Sequence, residues 1–474
     1  MPALDIEHLK QSAPDLRMAW DEASLVAAGS DHTENLSFPP DLVVWPRSTA
    51  EVSSVLAWAF ERGVHVTPAG ALTGLSGGAL PVRGGIAMNF SKMDRVVEID
   101  MTNHQVIVEP GVIVQNLQDA VAAVGLFYAV DPASRGSCTI GGNIAHNSGG
   151  PRAVKYGVTK DWVLNLEAVL ADGTVINTGA NTLKNSTGYN LTQLLVGSEG
   201  TLAVITRATL KLLPLPAHTA LMLAPFESAA DACATVAALF KAGATPSALE
   251  FMERDAVELA RRYTGIAAPS DEPPFEAVLL IEVDGATSDA ITPQIECIAA
   301  VLEQSGAGEV QLADDAAGQD QLWALRRSVG EAVKAHCIYK EEDAVVPRGR
   351  LPELLARTKA LGDQYGFKSI CYGHAGDGNL HINILKGVPH DEISEELSQE
   401  LSEHFWTNEL PRAISELFEF VVEIGGTISG EHGIGWVQKP YLPIAIGPRE
   451  QDLMRGIRAV FDPKGILNPD KILS

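Results

Sequence analysis

Short apolar runs and amphipathic stretches alternate through the first third of the chain, which is the pattern of strands and helices in turn. Asp41–Trp45 reads as a strand. Ser48 and Glu51 have the spacing of a capping box that opens a helix over Glu51–Arg62, and Gly63 supplies its stop. A strand over Val64–Thr67 runs into the glycine-rich stretch that begins at Pro68. Further strands are expected at Gly85–Asn89, Arg95–Ile99 and Gln105–Glu109, then a helix over Val114–Ala123. A second glycine-rich region, Gly136–Gly150, precedes strands near Leu164–Leu170, Thr174–Thr178 and Thr201–Leu212.

Leu213-Pro-Leu-Pro-Ala217 marks a boundary, because two close prolines end a strand and stiffen a linker. Beyond it the rhythm becomes strand and long helix. Strands are expected at Ala220–Pro225, Ala277–Val283, Ala344–Val346 and Lys368–Tyr372. Helices are expected over Ala229–Ala242, Asp289–Glu303, Gln319–Ala335 and Leu351–Tyr365, then two acidic ones over Glu392–Phe405 and Pro411–Ile424. Long helices on one antiparallel sheet make an α+β domain.

Length and charge narrow the picture. A chain of 474 residues exceeds the roughly 250–300 at which one core usually stops growing, so two or more domains are expected. The formal net charge of −25 argues against nucleic acid and anionic lipid as general partners, since both bind basic surface. Met1–Trp20 carries Asp5, Glu7 and Asp15 and no continuous apolar stretch, so no secretory signal is expected, and no run is long enough to span a bilayer. The cysteines, Cys138, Cys233, Cys297, Cys337 and Cys371, are scattered and form no CxxC pair. That fits free thiols in a reducing cytoplasm.

Candidate chemistry begins in the loops. Gly70, Gly74, Gly77 and Gly78, with Thr73 and Ser76 between them, let backbone N–H groups converge on an anion with no Cβ in the way. No Gly-Lys-Ser/Thr follows, and the spacing is not GxGxxG, so this is neither a Walker loop nor a Rossmann fingerprint. Taken alone, the loop is as readily a plain surface turn. Two further stretches of small and polar residues, Ser137–Gly150 and Thr187–Leu191 with Gly197–Thr201, point to one extended ligand such as a dinucleotide.

His374 and His381 flank the turn signal Gly376-Asp-Gly378, so a hairpin would bring their imidazoles together. Spacing alone favours two hydrogen-bonded histidines. With Glu431 as a third ligand, the set also suits Zn²⁺, Mn²⁺ or Fe²⁺.

The loops above, with Cys371–His381, Ser429-Gly-Glu-His-Gly-Ile-Gly435 and Leu467-Asn-Pro469, resemble the FAD-linked 2-hydroxyacid dehydrogenases of the vanillyl-alcohol-oxidase fold. D-lactate dehydrogenase, D-2-hydroxyglutarate dehydrogenase and the flavin subunit of glycolate oxidase belong to that family. The resemblance runs from about Leu36 to the end. It implies an α+β fold: an FAD-binding domain of two α+β subdomains over 1–215, and an α+β substrate domain with an antiparallel sheet over 216–424. A segment over 425–474 would return to the FAD domain and active site.

It further implies that Gly70, Thr73, Gly74, Leu75, Ser76, Gly77 and Gly78 hold the FAD pyrophosphate. Ser137, Gly142, Asn143, Ser148, Gly149, Gly200 and Asn468 would line the rest. Family members with a covalent flavin carry His or Cys in the first loop; Gly70–Gly78 has neither, so the FAD is expected to be non-covalent. His374, His381 and Glu431 match the family's metal ligands, with zinc expected and manganese or iron as alternatives. His432 matches its base, and Asn383 and Arg326 match substrate-binding positions.

Lys340 lies near the lysine that D-2-hydroxyglutarate dehydrogenases use on the distal carboxylate. This chain, however, has one extra residue before Pro347, and Gly330 stands where those enzymes place a threonine. A dicarboxylate preference therefore does not follow. The expected reaction is oxidation of a D-2-hydroxyacid, with electrons passing to a quinone, a cytochrome or an electron-transfer flavoprotein. A homodimer is compatible with this reading. Its competitors are a non-redox flavin enzyme like the alkyl-glycerone-phosphate synthases, a metal-dependent hydrolase, and an electron-transfer protein without its own substrate.

Overall fold

The computed structural model describes residues 5–33, 36–266, 274–387 and 401–473. Two compact units divide the chain: one from residues 1–149, 157–215 and 431–474, the other from 150–156 and 216–430. Both mix helices and sheets, and the architecture is α+β.

Among the described residues, the first unit holds two main sheets and a two-stranded pairing of Leu126–Phe127 with Leu213–Pro214. One has strands in the order Arg17–Ala19, Leu42–Trp45, Ile86–Asn89, Val66–Ala69, the first pairing antiparallel and the others parallel. The other is antiparallel, in the order Val96–Asp100, Gln105–Val108, Val204–Lys211, Val163–Val169, Val175–Asn177. The helix Thr49–Arg62 buries Val52, Val55, Leu56 and Ala59 against Leu42, Val44, Ile86 and Met88. Ser48 caps it by accepting from the Glu51 N–H at 3.2 Å, and Gly63 ends it at φ 64°. The box is not reciprocal, because the Glu51 carboxylate takes the Arg47 N–H instead.

Two expectations change here. The strand expected at Val64–Thr67 lies at Val66–Ala69. The region Gly136–Gly150, read as loop, contains the helix Ile140–His146, capped by Thr139. Its glycines earn their place by packing: a Cβ on Gly141 would meet Pro110 Cβ at 2.7 Å.

The second unit is built on one antiparallel sheet of seven strands. Their order is Gln311–Ala313, His218–Phe226, Ala277–Gly285, Ala248–Glu253, Lys368–Gly373, Asn379–Gly387, Ile338–Val345. Side chains alternate across it. One face, with Leu221, Ala248, Met252, Leu280 and Tyr372, packs under residues of the helices Arg254–Thr264, Ala316–Arg327 and Val329–His336.

The single helix expected over Gln319–Ala335 is thus two, divided at Ser328, whose hydroxyl bonds back to Leu325 O and competes with the helical ladder. The strand expected at Ala344–Val346 is longer, Ile338–Val345, because its acidic residues are drawn into the sheet. Of the helix expected over Glu392–Phe405, residues 392–400 lie outside the described residues.

The C-terminal segment completes the first unit. Val66 N–H bonds Ile466 O, and Asn468 N–H bonds Val66 O, both at 2.9 Å, so the segment runs beside Val66 as an extra bridge. Lys471 is wholly buried, donating to Leu80 O and to Asn468 Oδ1. Burial pushes its ammonium down to about 8 from 10.5. Charging it therefore costs folded protein below that value, and stability should rise as pH climbs from about 8 towards 10.5. Urea unfolding at pH 7 and pH 9.5 should show wild type gaining roughly 1–3 kcal/mol relative to Lys471→Met over that interval. Parallel pH profiles would show that Lys471 is not the source.

Candidate active site

In the first unit, a cleft with about 630 Å³ of empty space, partly open to solvent, is lined by Pro68, Gly70, Gly78, Thr139, Gly142 and Gly200, among others. Gly200 has φ 67°, and a Cβ there would meet Pro68 Cγ at 2.5 Å, so only glycine leaves this wall open. Asn143 is buried on the helix whose Gly141, Gly142, Ala145 and His146 line the cleft, and its side chain bears on the Cys138 thiol. Gly70, Gly78, Gly141, Gly142 and Gly200 thin the wall of this cleft between side chains such as Pro68, Phe90 and Val204, which fits a large cofactor.

The other expected cofactor residues are distributed less evenly. Thr73, Gly74 and Leu75 are half-buried in their loop. Ser137 is exposed and closes a turn onto Ser134 O. Ser148 O accepts from Thr159. Several of the rest hold the segment 431–437. Ser76 Oγ donates to His432 O at 2.9 Å, and Ser76 O accepts from the Trp436 and Val437 N–H groups. Gly77 N–H bonds Thr33 Oγ1 at 2.7 Å. Gly149 N–H donates to Glu431 Oε2 at 3.2 Å. Asn468, at φ 37°, donates to Gly78 O and Glu199 O.

Glu199 did not stand out in the sequence, yet it organises this region. It is buried, sits at φ 50°, and its two carboxylate oxygens accept from the Ile434 and Gly435 N–H groups, each at 2.8 Å. Burial pushes its carboxyl up, against the pull of His146 and those two N–H groups. His146 Nδ1 donates to His432 O at 2.9 Å. The backbone that carries Glu431 and His432 is therefore clamped by Ser76, His146 and Glu199.

In the second unit, the strands Lys368–Gly373 and Asn379–Gly387 form the expected hairpin, turning through Ala375–Asp377 with Gly378 at φ 79°. His374 and His381 come together, ring centroids 5.3 Å apart and nearly perpendicular. His374 Nδ1 donates to Glu250, with both carboxylate oxygens at 2.9 Å. His381 Nδ1 lies 3.4 Å from Glu341 and 3.6 Å from Asp343. The Glu250 carboxylate on its Nδ1 favours, for His374, the tautomer whose lone pair is on Nε2, the form that can ligate a metal.

Arg326 joins the same network. It is 4% exposed, its guanidinium is 2.6 Å from Glu250 Oε2 and lies over the Tyr372 ring, and its Nε has no partner. Burial alone would push the Glu250 carboxyl up, but the charges of His374 and Arg326 outweigh it and hold the group below its usual range. Asn383 is fully buried on the His381 side of its strand, donating to Ile370 O, with Oδ1 unpartnered.

Lys340 is not brought to this group. Antiparallel register sets Glu341 opposite Asn383 and Asp343 opposite His381, while Lys340 stands opposite Ile384 on the other face. Glu250 lies on the strand Ala248–Glu253, which was not foreseen. Its signal was an acid inside the apolar run Ala-Leu-Glu-Phe-Met.

Residues 40–179 match the model of the FAD binding domain, and residues 215–472 match that of the FAD linked oxidases, C-terminal domain. The chain belongs to the FAD-linked oxidase family. It is an FAD-dependent oxidoreductase. It is 38% identical to glycolate oxidase subunit GlcD of Bacillus subtilis, over 94% of this chain and 91% of that one. It is 36% identical to a D-lactate dehydrogenase of Anaerostipes hadrus, over 98% and 96%. A D-2-hydroxyglutarate dehydrogenase of Stutzerimonas stutzeri is 33% identical, over 100% and 99%.

Among solved structures, p-cresol methylhydroxylase superposes with a TM-score of 0.79 at 18% identity, over 98% of this chain and 96% of that one. An alkyldihydroxyacetonephosphate synthase gives 0.72 at 18%, over 98% and 84%. Likeness at that identity speaks for the fold, which is that of vanillyl-alcohol oxidase. Among the described residues, no helix is long and apolar enough to cross a membrane.

Glu250 is a buried anion with two cationic or donor partners, so removing it alone should be expensive. Glu250→Gln is expected to lower stability by about 3–5 kcal/mol in urea unfolding, and Glu250→Gln with Arg326→Met by less. A loss in the single variant no larger than in the double would show that Glu250 does not compensate Arg326.

Proposed function

We propose that this oxidoreductase oxidises a D-2-hydroxyacid to the 2-oxoacid. The observation that carries the reading is the pair His374 and His381, each with Nδ1 toward a carboxylate, on the same network as the buried Arg326. The relatives named for D-lactate, D-2-hydroxyglutarate and glycolate support it. When bound, FAD supplies the hydride acceptor and a divalent metal the Lewis acid that lowers a hydroxyl pKa.

His374 and His381 would hold that metal, zinc with manganese or iron as alternatives. Glu431 would be the third ligand; it follows Gly430, whose N–H is bonded to Asp343 Oδ2 at 2.8 Å. Arg326 receives the substrate carboxylate, for which its planar guanidinium and unpartnered Nε suit it. Asn383 orients the substrate from the next inward position along the His381 strand. His432 takes the hydroxyl proton on its imidazole as the C2 hydrogen leaves with its electron pair.

The loop Gly70–Gly78, with Gly142, Asn143, Ser148, Gly149, Gly200 and Asn468, serves the FAD, bound without a covalent link. The electrons then pass to a quinone, a cytochrome or an electron-transfer flavoprotein.

Anaerobic titration of FAD-replete protein with D- and L-2-hydroxyacids tests the reading through the flavin's visible absorbance. A D-acid should bleach it, a chelator should abolish the bleaching, and added metal should restore it. His432→Ala should slow the bleaching by at least about a hundredfold while retaining FAD. Flavin that no hydroxyacid reduces, in metal-loaded protein, would contradict the proposal.

A further inference from the structure

We infer that Trp323 is a positioning residue for the carboxylate anchor Arg326, and that it acts through a second buried acid, Glu282. The inference rests on the function proposed above and adds residues that the proposed reaction does not itself use. Glu282 lies on the strand Ala277–Gly285 and is 2% exposed. Ala248 stands opposite Glu282, and Leu280 stands opposite Glu250. Both carboxylates are therefore on the face of the sheet that the helices cover.

Glu282 is held by three side chains. Its carboxylate accepts from Trp323 Nε1 at 2.9 Å, from Ser247 Oγ at 3.0 Å, and from Arg152 Nε and Nη2 at 3.1 and 3.3 Å. Arg152 belongs to the stretch 150–156, which is part of this unit. Burial alone would push the Glu282 carboxyl up, but the Arg152 charge outweighs it and holds the group below its usual range. Glu282 is thus a fixed charge on a fixed strand.

One helix reaches both acids. Ala316–Arg327 presents Trp323 to Glu282 and Arg326 to Glu250, on neighbouring strands. Residues three apart share a helix face and are separated by about 4.5 Å along the axis. A single polar contact would leave the helix free to turn about it. Two contacts, both buried, set its rotation and its position along the sheet.

That constraint bears on the anchor because Arg326 has two tasks. Its guanidinium offsets Glu250 at 2.6 Å and, in the proposed reaction, receives the substrate carboxylate as well. A guanidinium meets a carboxylate well only when its plane is correctly set. With the helix fixed at Trp323, the fork holds its plane while it serves both anions. Without that bond, Arg326 follows Glu250 and presents itself less well to the substrate.

The test uses full-length FAD- and metal-loaded enzyme with D-lactate and D-2-hydroxyglutarate, the faster of the two being carried through. Trp323→Phe removes the Nε1 donor, keeps a ring, and leaves Glu282 with Arg152 and Ser247. Its second-order rate constant for anaerobic flavin reduction should fall at least about fivefold, the scale of one buried hydrogen bond. The dissociation constant of the matching 2-oxoacid, measured by calorimetry on the oxidised enzyme, should rise by a similar factor. Arg326→Lys lacks the planar fork, so in that background Trp323→Phe should change the rate constant less than twofold. Ser247→Ala takes another donor from Glu282 without touching the helix and should cost less than Trp323→Phe. Rate constants per bound flavin are insensitive to loss of active protein. A smaller loss in Trp323→Phe, an unchanged dissociation constant, the full loss repeated beside Arg326→Lys, or an equal loss in Ser247→Ala overturns the inference and leaves the proposed function standing. Flavin that neither acid reduces in wild type overturns both.

Discussion

The second unit is organised around a carboxylate that has no contact with solvent. Glu250 sits in the middle of a seven-stranded sheet, where an isolated charge would be intolerable. Its compensation comes from His374 on one side and Arg326 on the other, at 2.9 Å and 2.6 Å. One buried anion therefore fixes the tautomer of a proposed metal ligand and the position of the proposed carboxylate anchor. The two groups proposed to meet the substrate's adjacent hydroxyl and carboxylate are tied to a common point, and neither can drift without leaving that charge unpaired.

The first unit applies a similar device to the backbone. Glu199, buried and held in the left-handed region, accepts two consecutive N–H groups from the stretch that carries Glu431 and His432. Ser76 and His146 bind the carbonyl of His432 from the glycine-rich loop and the short helix. Residues read as cofactor contacts thus also shape the 431–435 turn. Backbone strain of this kind is tolerated where surrounding contacts over-determine it.

Much of this was legible because the signals were local. The Gly376-Asp-Gly378 turn between two apolar runs foretold the histidine hairpin, and the α+β class followed from the rhythm of strands and helices. What escaped depends on non-local pairing. Glu250 meets His374 and Arg326 across long stretches of chain, and no spacing announces that contact. Lys340 and Glu341 differ by one position, and only the register against Asn379–Gly387 says which of them faces His381. The helix Ile140–His146 was hidden because its glycines read as loop, whereas Gly141 is there to approach Pro110. The passage of residues 150–156 into the second unit has no counterpart in composition.

In the proposed reaction a 2-hydroxyacid gives its C2 hydrogen to the flavin as its hydroxyl is deprotonated. Anaerobic stopped-flow reduction with a substrate deuterated at C2, set against its protium form, tests this most directly. Deuterium should slow flavin reduction several-fold, with the effect retained across pH. Flavin reduction at the same rate with both isotopologues, at saturating substrate, would contradict it.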